Sequence, residues 1–109
     1  MKILPRSKCA ILQLVLKGEW YDMIARGWKR EEYRDSTPYW AVRLSNWDNT
    51  EASAHVVEFR RGYRSDAPRQ AYICNIYTST DEARHPEWGE PSTPHYRLRL
   101  GELVMLYDK

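Results

Sequence analysis

The sequence predicts a mainly β, α+β domain: a small β-barrel of five to six strands with two short helices near its N-terminus. Three observations predict it. β-Branched and aromatic segments recur between residues 9 and 107, separated by turn-forming stretches. Helical periodicity occurs only twice, both times before residue 50. Glycines fall inside or at the end of strand-like runs, at Gly62 and Gly101, where they permit the bulges by which a sheet bends and hides its edges. The chain has 109 residues, 42% hydrophobic and 29% charged, which suits one globular domain over residues 1–109. A chain of this size buries about two-thirds of its unfolded surface.

The elements follow in order. Residues 9–16, CAILQLVL, form a nearly continuous apolar run, expected to be a strand buried on both faces. In GEWYDMIARG, Trp20, Met23 and Ile24 have the spacing of a short amphipathic helix, and Gly27 is placed to terminate it. A charged strand is expected over residues 29–34. In STPYWAVRLS, Ser36 or Thr37 offers an N-cap and Pro38 fits the first helical position, so a second short helix presents Tyr39, Val42 and Arg43 on one face. NWDNTEAS reads as a loop. HVVEFRRGY is a strand ending at Gly62, and QAYICNIYT, apolar on both faces, is a central strand. Residues 79–94 hold three prolines and a glycine, a long loop of the kind that often carries function. In HYRLRLGELVMLY, Tyr96, Leu98 and Leu100 alternate with Arg97 and Arg99, giving an apolar and a basic face before a bend at Gly101.

Composition narrows function by exclusion. A net charge of +2 is no polycation, so electrostatic recognition must come from local clusters. His55, His85 and His95 lack metal-ligand spacing, so no metal is expected, and no motif calls for a cofactor. The first apolar run is short, is interrupted by Gln13 and lacks a cleavage site, so it is not read as a leader. No run approaches the ~20 apolar residues of a membrane span. The expectation is a cytoplasmic protein in which Cys9 and Cys74 are buried free thiols, with a disulfide between them as the alternative. The 5 Trp and 8 Tyr against 1 Phe favour half-wet aromatic surfaces, suited to a core rim or to stacking on bases.

The stretch GWKREEYR, Gly27 to Arg34, has no apolar face as a strand. Lys29, Glu31 and Tyr33 alternate with Arg30, Glu32 and Arg34. Charges beside a core cost several kcal/mol each unless paired or wet. The pattern therefore demands either an ionic network or a water-filled cleft. A cleft would offer a base the donors of Lys29 and the acceptors of Glu32, with Trp28, Tyr33 or Trp40 to stack on it. Arg60, Arg61, Arg64, Arg97 and Arg99 would form a phosphate-tracking patch if their strands are neighbours.

Gly27-x-Lys29-x-x-Glu32-x-Arg34 matches the pattern G-x-K-x-x-E-x-R and follows a strand and a short Gly-terminated helix. In this the chain resembles the ASCH family of PUA-like domains, in its small phage and bacterial form, and the likeness extends to RRGY, PEWGEP and YRLRLGELV. The resemblance implies a barrel whose helices flank a cleft lined by the motif, and binding of RNA or a nucleotide. The site residues expected are Lys29, Glu32, Arg34, Tyr33, Trp40, Arg60 and Arg61. Some ASCH-like proteins deacylate an acylated cytidine with a lysine, a threonine three residues later and a glutamate. Lys29 matches the lysine, but Glu32 stands where the threonine would be. The alternatives are thus an amidohydrolase or ribonuclease using Lys29 with Glu32 or Glu58, and a protein-interaction module without catalysis.

Overall fold

The computed structural model describes residues 1–109. Six strands and two helices follow one another as β1 (Lys2–Pro5), β2 (Cys9–Leu16), α1 (Gly18–Ala25), β3 (Glu31–Asp35), α2 (Pro38–Asp48), β4 (Ala54–Arg61), β5 (Arg69–Ser79) and β6 (His95–Tyr107). They make one mixed sheet in the order β1-β6-β5-β4-β2, with β3 also paired to β6. The long β6 is the spine. Its first half pairs antiparallel with β3, from Glu31 opposite Arg99 to Asp35 opposite His95. Its second half pairs in parallel with β1. The bend expected at Gly101 is present as a register shift between β5 and β6, around Tyr72 and Cys74.

The sheet does not close into the expected barrel. β2 pairs only with β4 and β3 only with β6, so the two never meet. α2 lies against β2 instead, where Trp47 Nε1 donates to Ala10 O at 2.9 Å and Arg43 Nη2 to Gln13 O at 2.7 Å. β2 is also not buried on both faces. Its even residues are buried, while Gln13 on the other face is exposed.

The main core lies between the sheet and the two helices. It joins Leu12, Leu14 and Leu16 of β2, Tyr21 and Ile24 of α1, Leu44 and Trp47 of α2, and Val57, Phe59, Leu98 and Leu100 of the sheet. A smaller cluster, Val56, Ala71 and Val104, covers part of the opposite face. α2 is capped by Thr37, whose hydroxyl accepts from Trp40 N, as expected. Its packed face is Trp40, Leu44 and Trp47, whereas Tyr39 and Val42 are exposed. The helix therefore runs a turn further than its apolar pattern suggested, and Asn46–Asp48 are helix, not loop. β1 was not anticipated; four residues are too few to show a period. Cys9 and Cys74 are both free, and burial pushes the Cys74 thiol up to about 12. No helix is long and apolar enough to cross a membrane.

Candidate functional site

The site begins where α1 ends. Gly27, at φ 78°, turns the chain back, and the N–H groups of Trp28 and Lys29 both donate to Met23 O. Lys29 thereby enters the interior one turn before β3. It is 1% exposed. Its Nζ donates to Trp88 O, stands 3.4 Å from Glu32 Oε1, and lies 4.8 Å from the ring centres of both Trp20 and Tyr33. Burial lowers its pKa, and the neighbouring Glu32 carboxylate opposes that shift.

Glu32 stands between this enclosed ammonium and an open cleft. Its Oε1 faces inward and accepts Tyr33 N at 3.0 Å. Its Oε2 has only Arg34 Nη1 nearby, at 3.8 Å. Arg34 is held in turn by Tyr33 O at 2.6 Å, and its guanidinium lies 5.1 Å from the Trp40 ring centre. The cleft has a volume of about 240 Å³, and its walls are Trp20 of α1, Glu32–Asp35 of β3, Trp40 of α2, and Trp88, Gly89 and Pro91 of the long loop. Pockets for drug-sized ligands run to roughly 300–1,000 Å³. This one suits a single ring system.

Of the other two charges in the stretch, Arg30 is exposed and Glu31 is paired. Glu31 accepts from Tyr33 Oη at 3.1 Å and from Arg99 Nη1 at 3.2 Å. Burial, then Glu31, raises the Tyr33 pKa. Behind Tyr33 lies a buried cluster from the 79–94 loop and β6. Glu90 Oε2 accepts from His95 Nε2 and Arg97 Nε, both at 2.7 Å, while its Oε1 accepts the N–H groups of Arg84 and His85. His95 Nδ1 faces Thr93 O at 2.6 Å, so each ring nitrogen has an oxygen partner. Burial would raise the Glu90 pKa, but the donors from Arg97, His95 and the two backbone N–H groups outweigh it and hold the carboxyl at about 2.

Of the expected site residues, Glu32, Tyr33, Arg34 and Trp40 meet at the cleft. Lys29 is sealed behind Glu32, with a side chain 0% exposed, so it contacts no guest directly. The expected arginine patch does not form, because β5 lies between β4 and β6. Arg61 is turned to Asp22, Arg64 to Asp66, Arg97 to Glu90 and Arg99 to Glu31. Arg60 faces a separate hollow. Trp28 is 61% exposed and lies outside the cleft.

Sequence reasoning missed Trp20, Trp88 and the Glu90 cluster. Trp20 looked like helix core, and Trp88 sits in a loop without periodicity. The density of proline around PEWGEP was the available signal. No group of three or more His, Cys, Asp or Glu is arranged to hold a metal ion. No protein-family model, no curated protein and no solved structure matches the chain.

Proposed function

We propose that the chain is an ASCH-like, PUA-like binding module that takes up a single nucleobase, free or within RNA, in the cleft between α1, β3, α2 and the 79–94 loop. The observation that carries this reading is Glu32 Oε2. It is a carboxylate oxygen at the wall of an indole-lined cleft, with no hydrogen-bond donor of the protein on it and Arg34 at 3.8 Å. An acceptor beside a donor complements a base edge that carries an exocyclic amine next to a ring nitrogen, as in cytosine or adenine. Trp20, Trp40 and Trp88 line the cleft, and although Lys29, the Arg34 and Arg43 guanidiniums and His85 already engage part of their ring surface, what they present to the cleft is where a base would stack, worth roughly 1–3 kcal/mol. The enclosure of Lys29 favours binding over hydrolysis, since a general base must come within hydrogen-bond reach of its proton.

Titration with cytidine, adenosine, uridine and short single-stranded RNA tests the proposal. The indole N–H signals of Trp20, Trp40 and Trp88 are expected to move with cytidine or adenosine, and less with uridine. Glu32→Gln, which puts an amide where a carboxylate stood, is expected to weaken binding roughly tenfold or more. Acylated cytidine is expected to be recovered intact. Indole signals that stay fixed with every nucleoside and every RNA would sink the reading.

A further inference from the structure

A second concavity lies away from the cleft, at the β2–β4–β5 side of the sheet. Its volume is about 250 Å³, and Arg43, Arg60, Arg69, Glu58 and Gln13 contribute its polar wall. The strand register makes it electrostatically unusual. Arg60 of β4 stands directly opposite Arg69 of β5. Like charges at such a cross-strand position repel and destabilise the pair. The one carboxylate present does not resolve this. Glu58 Oε2 is taken by Arg6 at 2.5 Å and Oε1 by Gln13 Nε2 at 3.0 Å, which leaves Arg69 Nη1 at 3.7 Å. Arg43 and Arg60 are bonded to carbonyl oxygens, of Gln13 and Gly62, and each keeps further N–H groups free.

We propose that this hollow is a phosphate-binding site, in which Arg43, Arg60 and Arg69 close on the oxygens of one phosphate group. Arg6 is shared between Glu58 and Asp108, the latter 3.4 Å from its Nε, and Glu58 also stands 3.7 Å from Arg69, so four guanidiniums meet two carboxylates and the hollow keeps a net positive charge. Guanidinium forks match phosphate oxygens in geometry as well as charge. Arginines directly opposed across a ladder are relieved by an anion between them, and a hollow of about 250 Å³ leaves it room. The site goes beyond the base cleft and does not depend on it. The two adjoin through one side chain, because Arg34 of the cleft and Arg43 of the hollow each lie 5.1 Å from the Trp40 ring centre. A strand of RNA with a base in the cleft would pass this indole to reach the arginines.

Arginine Nε–H signals read the site directly. Inorganic phosphate is expected to shift those of Arg43, Arg60 and Arg69 together and to leave Arg61 and Arg64, paired with Asp22 and Asp66, in place. Dimethyl phosphate separates the two sources of the group: a matching response assigns the diester of an RNA backbone, and a response to the monoester alone assigns a nucleotide. In the first case the salt dependence of oligonucleotide binding is expected to fall by about 0.7 in log–log slope for each of Arg60→Gln and Arg69→Gln. The proposal is overturned if phosphate moves none of the three signals, or if hexaglutamate moves them as strongly. Free nucleosides, which carry no phosphate, report on the cleft alone, so either site can fail without the other.

Discussion

Lys29 shows how much one side chain holds together here. Its ammonium, itself out of water, is bound to a carboxylate, a loop carbonyl and two rings. Removing one member of a buried pair leaves the other charge stranded, at a cost of about 3–5 kcal/mol. Lys29→Met is therefore expected to lower the urea midpoint by a corresponding amount, and an unchanged midpoint would mean that Glu32 finds water instead. Where that variant is still folded, nucleoside affinity is expected to change little, because Lys29 does not reach the cleft. Glu90 sets the acid limit. Its pKa is held at about 2 against an ordinary 4.5, so the folded state prefers the carboxylate. The stabilisation is in full force above about 4.5 and is lost as the pH falls towards 2. Denaturation midpoints measured between pH 6 and 2 should drop across that window. Glu90→Gln should start lower at neutral pH and show a flatter profile.

At the scale of elements, the 79–94 loop behaves as a fixed wall. It is pinned by Glu90 at one side and by the bond from Lys29 to Trp88 O at the other. Trp88 stacks on His85 with ring centres 3.8 Å apart. Gly89 then turns at φ 83°, and a methyl group there would lie 3.0 Å from the Trp20 indole. Both the dihedral and the contact demand glycine. Gly89→Ala is expected to displace the loop from α1 and to weaken nucleoside binding more than it lowers stability. Equal losses in both would instead assign the loop to the core. The motif strand was legible as charged and important, because five of its six residues from Lys29 to Arg34 carry charge. Its partners were not legible: Glu31 meets Arg99 and Lys29 meets Trp88 across 68 and 59 residues of sequence.

The whole molecule is a sheet with one face under helices and one largely open. β6 holds it together, since β1, β3 and β5 all pair with it. β1 is only four residues long and hangs on the end of that strand, with Ile3 61% exposed. Hydrogen exchange is expected to be slowest in β4, β5 and the first half of β6, and fast over residues 2–5. Uniform protection would show that β1 opens only with the whole fold. The open face is also what leaves Arg60 and Arg69 at the rim of a hollow. In a closed barrel the same strands would have had a different neighbour at β2.

The sequence alone determined most of the local pieces: five of the six strands (though the charged one starts at Glu31 and not at Lys29), the helix ends at Thr37 and Gly27, and the need of Lys29 to Arg34 for partners or water. These depend on side-chain period, backbone freedom and the cost of desolvating charge, all of which act within a few residues. Only the tertiary structure decided that Lys29 is enclosed while Glu32 faces the cleft, that Arg97 serves Glu90, and that β2 meets a helix in place of a strand. Those outcomes turn on which distant groups share a face. Pairings between oppositely charged residues are nearly interchangeable in sequence, and become unique only once the sheet order fixes the distances.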